Sequence, residues 1–191
     1  MGVLFLPEAA RRCVRGLVAA LAAVAITAFP LAAAAQSLEW AVKASFLYKF
    51  GPFIEWPASA FPAPSSPFVI CVFGADPFGD LLDEAARGQT VAGHPVVVRR
   101  IESVQGPVDC QVVFVSRSRR QSPAEALRAL RGLPVLTVTD ARQGIDGGII
   151  HFVVQDGRVR FTIDNGLARA GGLVLSSKLL ALATTPQRGA D

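Results

Sequence analysis

Beyond the first 35 residues, apolar residues in this chain fall into short dense runs divided by turn-forming residues, and one uninterrupted run is Phe68 to Phe73, FVICVF. It is too short for a free-standing helix and lacks the alternation of a half-exposed strand, so it predicts a strand buried on both faces. A helix over Pro77 to Arg87 is expected next, with Asp76 accepting its first free amides, Pro77 at its first position and Gly88 closing it. His94 to Ile101, carrying Val96 to Val98, predicts a second strand, and Gln111 to Val115 and Val135 to Thr139 two more. Between the last two, Ser122, Pro123 and Glu125 spell a capping box. Ala124, Leu127 and Leu130 are the expected buried stripe of that helix, which Gly132 and Pro134 stop. Buried runs joined by helical crossovers predict a single compact α/β domain, its mixed sheet having a parallel core and helices packed on it.

The flanks differ in pattern. Leu38 to Phe50 reads as a helix with apolar residues on two sides: Val42, Phe46 and Phe50 on one stripe, Trp40, Ala44, Leu47 and Tyr48 on another. Such a helix is expected to be sandwiched between surfaces. Gly51 and Pro52 end it, and a Pro/Ser/Ala-rich loop over Ala58 to Pro67 leads to the first buried strand. Near the other end, Ile149 to Val154 and Val159 to Ile163 flank Asp156-Gly157, which predicts a C-terminal β-hairpin with a two-residue type I′ turn. That register sets Ile150, Phe152, Val154, Val159, Phe161 and Ile163 on the core face, and His151, Arg160 and Thr162 on the other. A short helix over Asn165 to Ala170, a Gly171-Gly172 break and a last helix from Ser176 through Leu182 complete the pattern.

The first 35 residues change how the composition is read. Arg11, Arg12 and Arg15 precede an apolar stretch from Gly16 to Leu31, and Ala33 to Ala35 form an A-x-A site, so residues 1–35 are expected to be a cleaved signal peptide. A membrane anchor is the alternative, disfavoured because the stretch is shorter than the ~20 residues a spanning helix needs. Arg11-Arg12 leaves twin-arginine export open beside ordinary secretion. Cleavage would leave a domain over 36–185 and a short flexible terminus over 186–191. It also removes Glu8 with the three arginines, so the net charge falls from +4 to +2 and basicity no longer points to nucleic acid. Cys71 and Cys110 become the remaining cysteines in a chain bound for an oxidising compartment, where an even pair suggests a disulfide; two buried free thiols are the alternative.

The chemistry on offer is sparse. His94 sits in a Gly-His-Pro turn and His151 on the mixed face of the hairpin, too few and too far apart for a zinc site, and each is more simply a polar outward position. No serine occupies a G-x-S-x-G elbow, so the pattern argues against an enzyme, and neither cofactor nor metal is expected. The segment GADPFG, Gly74 to Gly79, lies between a strand and a helix, where backbone amides can cradle an anion. It lacks the Walker Lys-Ser/Thr, and Asp76 puts a negative charge where the anion belongs, so a structural turn is the better account. Arg117, Arg119 and Arg120 follow a strand at the carboxyl edge of the sheet, where open α/β folds bind ligands. With His151 they are the candidate contacts for an acidic ligand or a partner's acidic face, against the plainer reading of a solvated loop.

Taken together, VKASFLYKFGPFIEWP (Val42 to Pro57), ICVFGADPFG (Ile70 to Gly79), DCQVVFVS (Asp109 to Ser116), LTVTD (Leu136 to Asp140), GGIIHFVVQDGRVRFTID (Gly147 to Asp164) and GLVLSSKLLALA (Gly172 to Ala183) resemble the YfiR family of periplasmic proteins. The resemblance implies a small α/β domain, often a homodimer, without enzymatic activity. It implies binding to the periplasmic sensory domain of an inner-membrane diguanylate cyclase, which is held inactive, with an outer-membrane lipoprotein able to relieve the repression. The implied consequence is lower cyclic di-GMP and less biofilm; a periplasmic small-ligand sensor is the alternative. By the same resemblance Cys71 and Cys110 match a family disulfide. Some members of the family carry a second, later disulfide, for which this chain has no cysteines left, and Gly51-Pro52 departs from the more helical residues expected before the Phe-Ile-Glu-Trp-Pro run.

Overall fold

The computed structural model describes residues 36–184. The expected signal peptide and the terminus over 186–191 lie outside the described residues. Trp40 and the described residues that follow it belong to one compact unit. Among the described residues no helix is long and apolar enough to cross a membrane.

Helix α1 covers residues 36–49. It is followed by β1 (Ile54–Glu55), β2 (Phe68–Phe73), α2 (Asp80–Ala86), β3 (Thr90–Val91), β4 (His94–Ile101), β5 (Val112–Val115), α3 (Pro123–Leu130), β6 (Leu136–Asp140), β7 (Ile150–Gln155), β8 (Arg158–Ile163), α4 (Asn165–Ala170), β9 (Val174–Leu175) and α5 (Ser177–Leu182). Seven strands form one sheet in the order β3-β4-β2-β5-β6-β7-β8. The inner five run parallel, and β3 and β8 pair antiparallel at the two edges. This is the mixed α/β sheet with a parallel core that the apolar runs predict.

Both faces of β2, β5 and β6 are covered, every residue of the three being buried, whereas β4 and β7 alternate between buried and more exposed positions. On one face Phe68, Ile70, Val72, Phe114 and Phe152 pack beneath Trp40, Leu47 and Phe50 of the first helical segment, with Leu82 and Leu179 beside them. The opposite face sets Val69, Cys71, Phe73, Val113 and Val115 against Ala126 and Leu130 of α3. The buried stripe of α3 is therefore Ala126 and Leu130, one helical turn apart, with Leu127 and Ala129 partly buried; Ala124 is exposed and does not belong to it. Ser122 and Glu125 form the capping box as read, through Glu125 N–H donating to Ser122 Oγ and Ser122 N–H donating to Glu125 Oε2.

The C-terminal hairpin takes the expected register, Ile150 opposite Ile163, Phe152 opposite Phe161 and Val154 opposite Val159. Asp156 and Gly157 both have positive φ, 51° and 69°, as a type I′ turn requires. The strands outrun the helical cover, however, and Val154 near the tip is 37% exposed. Two short pairings carry no periodic pattern of their own: β3 folds onto the start of β4, and β1 pairs with β9. Gly51 is needed where α1 passes β3, because a Cβ there would collide with the Cγ1 of Val91. Cys71 in β2 and Cys110 just before β5 are joined as a disulfide with Cα atoms 5.9 Å apart, inside the reach such a bond requires.

Candidate binding surface at the carboxyl end of the sheet

β2 lies between β4 and β5, so the chain leaves β2 towards one side and returns to the other. The carboxyl ends of β2 and β5 flank the point where strand order reverses, the usual ligand crevice of open α/β sheets. A depression lies there, lined by Ala75, Pro77, Ser116, Arg117, Arg142 and Gln143, with Asp76 at its rim.

The depression is not an empty phosphate cradle, because the backbone donors of Gly74, Ala75, Phe78 and Gly79 are already committed. Gly74 N–H donates to Ile101 O at 2.9 Å and Ala75 N–H to Arg117 O at 2.8 Å. Asp76 Oδ1 accepts from Phe78 N–H at 2.7 Å and Gly79 N–H at 3.3 Å. The carboxylate thus occupies the place of an anion. Gly74, at φ +81°, sits so close to the next loop that a Cβ would lie 2.5 Å from Arg117 O. The helix expected to start at Pro77 starts at Asp80, because Asp76 caps a separate turn and the chain reverses at Gly79, with φ +53°. Arg100 on β4 locks this turn, its Nε 3.0 Å from Asp76 Oδ2 and its Nη1 donating to Asp83 Oδ1 at 2.8 Å. The hydrogen bonds from Arg100 hold the Asp83 carboxyl below the usual carboxylate range, and the guanidinium's own affinity for its proton is raised in return.

The three arginines after β5 diverge. Arg117 stays at the depression, where its Nη2 donates to Gln143 O at 2.9 Å, beside Ser116 Oγ, which donates to Gln143 Oε1 at 2.6 Å. Arg120 turns to Glu102 beyond β4, an ion pair whose side chains are 74% and 63% exposed. Arg119 is exposed on the intervening loop. His151 is elsewhere, its Nδ1 3.0 Å from Thr139 Oγ1, at a separate hollow with Asp146, Gly148 and Thr162. His94 stacks on Phe61 with ring centroids 4.2 Å apart and donates from Nδ1 to Ser66 O at 2.6 Å, a packed structural position.

The pattern reading missed a buried ion pair beside the depression. Lys43 of α1 and Asp140, the last residue of β6, are both fully buried, with Lys43 Nζ 2.5 Å from Asp140 Oδ2. The ammonium also lies 4.5 Å from the centre of the Trp40 ring. Asp140 Oδ1 accepts from Arg142 N–H at 2.8 Å, so one carboxylate holds α1 on one side and shapes the depression's wall on the other. The signal was present: Lys43 shares the stripe of Trp40 and Leu47, and Asp140 ends an otherwise buried strand. Among the described residues no three His, Cys, Asp or Glu side chains could hold a metal ion.

Residues 40–184 match the model of a protein family described as YfiR/HmsC-like. No curated protein matches the chain.

Proposed function

Because the chain belongs to the YfiR/HmsC-like family, we propose that it is a periplasmic regulatory binding protein that represses a membrane diguanylate cyclase through that enzyme's periplasmic sensory domain. Occupancy of the sensory domain lowers cyclic di-GMP and biofilm formation. The observation that carries this reading is the family match across the whole α/β domain, first helix to last. The buried Cys71–Cys110 disulfide supports an oxidising compartment. Repression is a population shift: the protein binds the cyclase's inactive arrangement more tightly than the active one, and the difference in affinity sets the degree of control. Arg117, Arg119 and Arg120 are candidate contacts for the partner, and an outer-membrane lipoprotein relieves repression by competing for this chain.

The test is to delete the gene and measure cyclic di-GMP and biofilm, then to mix the purified domain with the sensory domain of the cyclase encoded nearest to it. Rising cyclic di-GMP together with direct binding is the expected result; unchanged cyclic di-GMP would refute the reading. One observation favours a second function, a sensor of small acidic ligands: Arg117 and Arg142 line a depression at the reversal of strand order. Calorimetry against di- and tricarboxylates separates the two, since a sensor evolves heat with a ligand and without any cyclase.

A further inference from the structure

We propose that the outer edge of β8 is a docking strand for an extended acidic segment of a partner protein, which joins the sheet as its eighth strand. The proposal deepens the regulatory reading, on which it rests for the partner's role and not for the binding edge itself.

β8 is the last strand of the sheet, so one side of its backbone has no neighbouring strand. Which groups point outwards follows from the turn. A two-residue turn makes its flanking residues, Gln155 and Arg158, a hydrogen-bonded pair, and the pairs then alternate. Arg158, Arg160 and Thr162 therefore spend their backbone groups on β7, while Val159 and Phe161 present theirs outwards. Thr184 bears this out, because its N–H and Oγ1 both donate to the outward Phe161 O, at 2.8 and 3.2 Å. Among the described residues no turn, loop or side chain takes the Phe161 N–H or either backbone group of Val159.

The side chains beside this edge specify the occupant. Arg158 and Arg160 stand two residues apart on the solvent-facing side, both exposed and, among the described residues, in no ion pair. Asp156 lies at the turn, and Asp164 at the far end is engaged in capping α4 through Leu167 N–H. On the opposite side Val159 is partly buried and offers apolar contact to an added strand. An extended segment alternating acidic and apolar residues matches both sides. A second copy of β8 does not. With Phe161 O taken, self-pairing centred on Val159 or Arg160 places arginine opposite arginine, which is destabilising.

The experiment uses a blocked octapeptide alternating valine and glutamate as probe, with its valine-lysine counterpart as control, followed by nitrogen-15 NMR on the purified protein. The glutamate peptide is expected to shift and protect the Val159 and Phe161 amides and to bind about tenfold tighter than the lysine peptide, an advantage that shrinks with added salt. Val159→Pro, tolerated on an edge strand, removes an outward donor and should weaken binding by about tenfold. Arg160→Glu should weaken it comparably, and N-methylation should abolish binding only along the peptide edge that faces β8. Equal binding of both peptides, or shifts mapping elsewhere, would overturn the proposal. So would a concentration-dependent dimer that Val159→Pro dissociates, which would make the edge a self-interface. No cyclase enters this assay, so peptide binding with unchanged cyclic di-GMP after gene deletion would sink the regulatory reading and leave the edge standing.

Discussion

Replacing Lys43 by Met isolates what the buried ion pair does. Methionine keeps most of the lysine stem, so the packing of α1 changes little, but the Asp140 carboxylate loses the ammonium 2.5 Å away and retains, among the described residues, the hydrogen bond from Arg142 N–H. Both partners are fully buried, so water cannot replace the lost charge. Removing one partner of such a pair costs about 3–5 kcal/mol, a fifth or more of the ~5–15 kcal/mol that stabilises a domain. Asp140→Asn should be comparably harmful, since it leaves an ammonium against the Trp40 ring. The double replacement Lys43→Met/Asp140→Asn removes both charges and keeps the bond to Arg142 N–H. It should recover about 2 kcal/mol or more relative to the sum of the single changes. Urea denaturation followed by the fluorescence of Trp40 and Trp56 reads all four proteins, with unchanged denaturant slopes certifying the comparison. Single costs below about 1 kcal/mol, adding up in the double variant, would refute the pairing as an energetic unit.

Reducing the Cys71–Cys110 bond should lower stability by about 4 kcal/mol on the chain-entropy model; a midpoint in urea indifferent to reductant would contradict this. Gly51→Ala should cost about 1–3 kcal/mol by driving a methyl into Val91, and Val91→Ala should relieve part of it, checked by thermal melts of the pair and the singles. Arg100→Met tests a pH dependence. The Asp83 carboxyl is held below its unfolded value by Arg100, so that stabilisation is present at neutral pH and is lost as pH falls through the depressed folded value. The gap between wild type and Arg100→Met, no more than about 1 kcal/mol for so exposed a pair, should close in acid; a gap constant to pH 2 contradicts the assignment. Reversing Arg117, Arg119 and Arg120 to glutamate should weaken partner binding in pull-down and calorimetry, and unchanged affinity would leave them as surface residues.

Features set by local chemistry were legible in the chain. The Asp156-Gly157 turn fixes the hairpin register, Ser122 and Glu125 fix the start of α3, and Asn165–Ala170 forms the helix expected there. What escaped depends on distant partners. β1 and β9 are two residues each, below the length at which alternation can be seen, and exist because the chain brings Ile54 opposite Leu175. The start of α2 moved because Arg100, on a later strand, holds Asp76 in its own turn. On α3 a choice between Ala124 and Ala126 could not come from spacing alone, since Leu130 continues either stripe. At the candidate site Arg117 reached the depression, while Arg120 was drawn off by Glu102. The partner of Lys43 could not be read from the chain because its carboxylate, Asp140, ends the sixth strand after α1.

The disulfide also divides the chain as a mechanical object. The 39-residue span between Cys71 and Cys110 contains α2, β3 and β4, so one flank of the sheet sits inside a covalent ring. Tension between the first helix and the last strand passes from β2 through the sulfur bridge to β5 and bypasses that ring. Stretching the oxidised protein therefore releases roughly 130–140 Å less contour than stretching the reduced one. A pull across the two ends of this domain therefore loads β2, β5 and the strands after them, and leaves the contour of the β3-β4 flank unextended.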